Sequence, residues 1–115
     1  MRSGAGGEHR LAAYGSLRPG ARHHDLVAEL EVLGGGTIRG ELTDCDGYPM
    51  LTLDPDGDVV AVVVFGGVTG AKWAELDVFE GPAYRRTLVD VELGPGRSMI
   101  ATCYVAVGDR GPNGP

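Results

Sequence analysis

The chain has 115 residues, 43% of them apolar, and a formal net charge of −6. That length holds one domain and no second hydrophobic core, and no apolar run approaches the roughly 18 residues of a membrane span. The acidic balance, with arginines scattered at Arg18, Arg22, Arg39, Arg85, Arg86 and Arg97, lacks the basic stripe by which nucleic-acid-binding proteins track phosphates, so no nucleic acid and no membrane partner is expected.

In chain order, the head Met1–Glu8 is Gly-rich and polar and has no signal-peptide apolar segment, which predicts a flexible head on a cytosolic (cytoplasmic) protein. A single domain is expected over residues 9–107. It opens with a short apolar strand, Leu11–Tyr14, followed by a Gly-bounded turn. His23–Leu33 carries Leu26, Val27, Leu30 and Leu33 at helical spacing. Thr37–Leu42 and Tyr48–Leu53 alternate as strands, whereas Val59–Phe65 is a continuous β-branched run that reads as buried on both faces. A second helix is predicted over Ala71–Phe79, with Trp73, Leu76 and Phe79 on one face, Thr69 as its N-cap and Gly81-Pro82 as its stop. Thr87–Leu93 and Met99–Val107 supply the last two strands, and Gly108–Pro115 is a flexible tail by composition. Turns at Asp56-Gly57 and Gly94-Pro95-Gly96 suit antiparallel connections. The sum is an α+β fold: a small mixed, mostly antiparallel β-barrel of about six strands with two short helices packed against it.

Glu80 is the first candidate for chemistry. It falls on the last turn of the second helix, where the macrodipole disfavours an ionised acid by up to about 1 kcal/mol and a Lys or Arg is usual. Partial burial would push its pKa further toward the range of a proton-cycling base; a solvated surface Glu is the plainer alternative. The segment Tyr14-Gly15-Ser16-Leu17-Arg18-Pro19-Gly20 is the second candidate. Successive free N–H groups in such a turn form a nest for a carboxylate or an oxyanion, though it also reads as a turn alone. It matches neither the phosphate-loop nor the nucleophile-elbow pattern. Tyr84, Arg85 and Tyr104 lie on neighbouring strands, from which alternate side chains would share a cavity as substrate-positioning groups or serve as barrel-rim residues. His9, His23 and His24 lack the spacing of metal ligands and read as surface residues, and the aspartates at 44, 46, 54, 56 and 58 read as turn residues. Cys45 and Cys103, strand-borne and without C-x-x-C spacing, read as buried free thiols.

These pieces occur in a telling order. The loop Tyr14-Gly15-Ser16-Leu17-Arg18-Pro19-Gly20, then Gly47-Tyr48-Pro49, then Leu76-Asp77-Val78-Phe79-Glu80-Gly81 leading into Tyr84-Arg85-Arg86, then Ala101-Thr102-Cys103-Tyr104-Val105, resembles the γ-glutamylcyclotransferase-like family. That grouping includes the AIG2-like proteins and the γ-glutamylamine cyclotransferases, and the resemblance spans nearly all of Leu11–Val107. It implies a mixed barrel with a cavity at one end, in which Tyr14, Gly15, Ser16 and Leu17 hold a glutamyl head, Glu80 is the general acid/base and Tyr104 lines the cavity. Leu17 stands where glutathione-pathway members carry Asn, which points to the AIG2-like branch. The implied reaction closes a γ-glutamyl amine or peptide into 5-oxoproline and frees an amine, with no metal or other cofactor. A non-catalytic binding module on the same fold, or simple amide hydrolysis, are the competing readings; a monomer and a homodimer are both compatible with the sequence.

Overall fold

The β-branched run ending at Phe65 organises the molecule. In the structure, a computed structural model describing residues 6–45 and 48–107, and only the backbone at Cys45 and Tyr48, this run is strand β4 (Asp58–Gly66). Around it lie β1 (Leu11–Ala13), β2 (Glu31–Cys45), β3 (Tyr48–Leu53), helix α1 (Gly70–Glu80), β5 (Tyr84–Gly94) and β6 (Arg97–Ala106). The strands are ordered β3-β2-β4-β1-β6-β5, and β2 also pairs with β5, so β2, β4, β1, β6 and β5 close into a five-stranded barrel that leaves β3 as an extra strand on β2. Every pairing is antiparallel except β1 with β6, where Leu11 faces Thr102.

Closure depends on Gly36. At the seam where Thr37 faces Glu92, a Cβ on Gly36 would lie 2.5 Å from Val91 Cγ1 and 2.7 Å from the Glu92 carbonyl oxygen, so only a residue without a side chain lets the two backbones meet. Inside the barrel, alternate residues of each strand form one core: Ala12, Ile38, Val60, Val62, Val64, Val89, Val91, Ala101, Cys103 and Val105, with Leu51 from β3. The intervening residues Leu11, Ala13, Phe65 and Tyr104 face outward and pack a second core with Val27, Trp73 and Leu76. Leu76 is fully buried there; truncating such a leucine to alanine costs about 2–5 kcal/mol.

Helix α1 starts as the sequence predicts, Thr69 Oγ1 accepting from Lys72 N at 3.1 Å, and extends one residue beyond the expected range at each end. The other predicted helix does not form. His24–Val27 is a 3-10 turn, and Glu31, Val32 and Leu33 enter β2, where Glu31 and Val32 face Gly66 and Phe65 of β4. A short isolated helix is marginal in water, and strand pairing gives this backbone fixed partners; Val27, Leu26 and Leu30 still bury against the outer core. Strand β2 therefore runs far beyond the predicted Thr37–Leu42, and β5 begins at Tyr84 rather than Thr87. The β4 run is buried on both faces only toward Phe65; Val59 is exposed.

Part of the expected flexible head is docked. Gly7–His9 form a 3-10 turn, the buried Thr102 hydroxyl donates to Gly7 O at 2.8 Å, and Trp73 Nε1 donates to Glu8 O at 2.8 Å. Those anchors come from β6 and α1, far away in sequence. Residues 1–5, the tail at 108–115, Asp46, Gly47 and the Cys45 thiol lie outside the described residues. Cys103 is a buried free thiol. Among the described residues no helix is long and apolar enough to cross a membrane.

Candidate active site

A cavity of about 370 Å³ opens beside the end of β1. Its floor comes from Leu11–Ala13, and one wall is the following loop, Tyr14–Leu17, with His23. Pro49 and Met50 of β3 face that wall, and Phe79 and Glu80 from the end of α1, with Ala83, Tyr84 and Tyr104, complete the lining. The sequence places Glu80 there in two steps. Thr69 sets the start of the helix, and Gly81 ends it, its φ of 85° and ψ of 179° being open essentially to glycine alone while its N–H bonds Asp77 O at 3.0 Å. No basic residue occupies the last turn of α1. Burial pushes the Glu80 carboxyl from its ordinary 4.5 up to about 7, because the charged form loses hydration.

The loop wall is held by its own turns. Arg18 N donates to Gly15 O, Ala21 N to Arg18 O, and His23 N to Ser16 O. Lys72 braces the connecting segment from α1, its Nζ reaching Leu26 O, Glu29 and Glu75, each at 2.8 Å. The amide N–H groups of Gly15, Ser16 and Leu17 make no hydrogen bond among the described residues. Three consecutive donors on cavity-lining residues are thus available to a ligand.

The three tyrosines sit at the cavity with their hydroxyl protons already committed. Tyr14 donates to Tyr104 O at 2.8 Å and accepts from Leu51 N at 3.2 Å, clamping the loop to β6 and β3. Tyr84 donates to Pro49 O at 2.8 Å. Tyr104 donates to Asp77 Oδ1 at 2.6 Å. Burial, foremost, raises the Tyr14 and Tyr104 hydroxyls well above the usual phenol range, so neither is a base. Asp77 also accepts two bonds from Arg86, at 2.9 and 3.1 Å, and that guanidinium lies 5.0 Å from the centre of the Trp73 ring. This bidentate pair ties the end of α1 to β5 beside Glu80, and is a positioning contact that sequence reasoning did not find; the only hint was an Asp three residues before Glu80.

Arg85 is not part of the cavity. It is exposed and does not line the wall, because the two-residue alternation of β5 turns it away from the face shared by Tyr84 and Arg86. His23, expected at the surface, is half-buried and lines the cavity, its ring edge-on to Phe79 with centroids 4.8 Å apart. His24 is likewise half-buried, its Nδ1 3.0 Å from Leu17 O. Met50 and Phe79 are further wall residues not anticipated; each read as an ordinary apolar position. Among the described residues no three His, Cys, Asp or Glu side chains cluster as a metal site would.

A family model described as "Gamma-glutamyl cyclotransferase, AIG2-like" matches residues 11–114. An AIG2-like protein from Mus musculus shares the fold with a TM-score of 0.76 at 23% identity, over 88% of this chain and 78% of that one. An uncharacterised protein from Pyrococcus horikoshii gives 0.68 at 23% identity, over 84% and 76%. A structure titled γ-glutamyl cyclotransferase gives 0.68 at 19% identity, over 86% and 66%. At such identities the likeness to solved structures speaks for the fold alone. No curated protein matches the sequence.

Proposed function

The chain belongs to the γ-glutamyl cyclotransferase, AIG2-like family, and from that premise we propose that it releases 5-oxoproline and a free amine from a γ-glutamyl amine or peptide, with Glu80 as the general acid/base. One observation carries the reading: a carboxyl raised to about 7 by burial shares a cavity with the loop whose three amides have no acceptor among the described residues. A group titrating near neutrality both accepts and returns a proton during turnover.

The substrate brings its own nucleophile, so no Ser, Cys or Lys nucleophile is needed. Ionised Glu80 removes a proton from the α-ammonium. The freed amine attacks the γ-carbonyl carbon, forming the ring C–N bond as the carbonyl oxygen takes the negative charge. The Gly15, Ser16 and Leu17 amides are the donors for that oxyanion. As the tetrahedral intermediate collapses, the bond to the leaving nitrogen breaks and Glu80 passes its proton to that nitrogen; the ring nitrogen's second proton then goes, through the regenerated Glu80 carboxylate, to the freed amine, which departs as an ammonium ion. A cavity that holds the glutamyl chain folded lowers the entropic part of the barrier. Tyr14, Tyr84 and Tyr104 shape the pocket in this reading, their hydroxyls engaged elsewhere.

The test is 5-oxoproline release from a panel of γ-glutamyl amines, by wild type and Glu80→Gln in parallel. Release by wild type that falls by at least about 100-fold in a folded Glu80→Gln is the expected result. Release that survives the substitution removes Glu80 from the mechanism, and free glutamate in place of 5-oxoproline makes the protein a hydrolase.

A further inference from the structure

A γ-glutamyl head makes three polar demands on its site: a partner for the α-ammonium, donors for the γ-oxygen, and a partner for the α-carboxylate. Glu80 meets the first and the loop amides the second. The third has few candidates. Among the described residues neither Arg nor Lys lines the cavity, and the hydroxyls of Tyr14, Tyr84 and Tyr104 donate to Tyr104 O, Pro49 O and Asp77. Among the described residues two lining side chains with a donor remain, Ser16 and His23, and of these His23 carries nitrogen.

We infer that His23 is the carboxylate-recognition residue of this cavity, its ring N–H binding the α-carboxylate of the γ-glutamyl group. This rests on the cyclotransferase reading above. Among the described residues His23 Nδ1 is the one buried side-chain polar atom without a hydrogen-bond partner, in a class of atoms that are nearly always satisfied. That burial closes Nδ1 to a ligand, which leaves Nε2 as the ring nitrogen able to donate an N–H to one. The ring is fixed for the task. It packs edge-on against Phe79, immediately before Glu80, and its own backbone N–H holds Ser16 O at 2.8 Å. One residue thereby adjoins both the proposed base and the amide loop. The neighbouring His24 does not compete for the role, since it does not line the cavity and its Nδ1 lies against Leu17 O.

The experiment pairs two ligands that differ only in the carboxylate. Binding of 5-oxoproline and of 2-pyrrolidinone is titrated by NMR against wild type, His23→Leu and His23→Gln, together with KM for 5-oxoproline release from one γ-glutamyl amide. His23→Leu is expected to weaken 5-oxoproline and raise KM by about 10- to 100-fold, the size of a lost hydrogen bond to a charged group. Its binding of 2-pyrrolidinone stays within about twofold, and His23→Gln, which keeps an N–H donor, recovers part of the loss. Equal losses for both ligands would mean that the ring acts only by packing on Phe79, and would overturn the inference, as would an unchanged KM. If wild type neither releases 5-oxoproline nor binds it, the cyclotransferase reading fails and the inference with it. A His23→Leu that turns over with an unchanged KM defeats the inference alone.

Discussion

Glu80→Gln exchanges an ionisable side chain for a neutral one of the same shape, so the difference in unfolding free energy between wild type and variant isolates one titration. In the folded protein burial holds the carboxyl at about 7, against 4.5 ordinarily. Between those two values the folded state keeps a proton that the unfolded chain has released, and wild-type stability therefore falls as pH rises. The favourable contribution is complete below pH 4.5 and gone above about 7. The full displacement corresponds to about 3 kcal/mol; because Glu80 is only partly buried, solvent screening reduces this to about 2. From pH 5 to pH 8 the variant should gain about 2 kcal/mol on wild type, or roughly 6–8 °C in Tm. Urea unfolding followed by fluorescence reads this directly, since Trp73 is the single tryptophan and is buried. Groups present in both proteins cancel in the difference. A gap that stays constant from pH 5 to pH 8 would refute the reasoning, for it would mean an ordinary, solvated carboxylate. If the gap grows as expected, the rate of 5-oxoproline release should fall as pH drops below about 7, where Glu80 takes up its proton.

Other substitutions test the frame of the site. Tyr14→Phe leaves Leu51 N and Tyr104 O without their bonds, and urea titration should show a loss of about 1–3 kcal/mol; a loss below about 0.5 kcal/mol would mean that neither bond matters to the fold. Gly81→Ala forces a Cβ into φ 85°, ψ 179°, for a cost of about 1–3 kcal/mol by thermal unfolding; a neutral result would mean that the helix end re-forms without glycine. Cys103 is fully buried and its thiol is pushed up to about 12, so maleimide labelling resolved by peptide mass spectrometry should leave it unmodified until denaturant is added. Rapid native labelling would contradict its placement in the barrel core.

Much of the site was legible because it is built from local signals. Thr69 and Gly81 bound one helix by capping rules, and Glu80 follows as the residue before the stop. The loop 14–20 announces a turn by its glycines and proline. The tyrosines were a different matter. They were rightly placed near a cavity, yet their sequence carries nothing about where the hydroxyls go: Tyr14 reaches residues 37 and 90 positions away, and Tyr84 one 35 positions away. Arg85 and Arg86 are chemically identical neighbours, and only the strand's facing decides that Arg86 meets Asp77 while Arg85 meets solvent.

By itself, then, the sequence determined the barrel-type fold, the capped helix that ends on a carboxylate and the order of the site segments, all consequences of period-2 and period-3.6 patterning, turn chemistry and the joint motif. Tertiary structure decided the rest. It drew Glu31–Leu33 out of a plausible helix into β2, because pairing with β4 gives that backbone partners that a short isolated helix cannot hold. It docked Gly7 and Glu8 through Thr102 and Trp73, and brought His23 from an expected surface position to the cavity wall. In each case the deciding contact spans tens of residues, and its energy exists only once the barrel has closed.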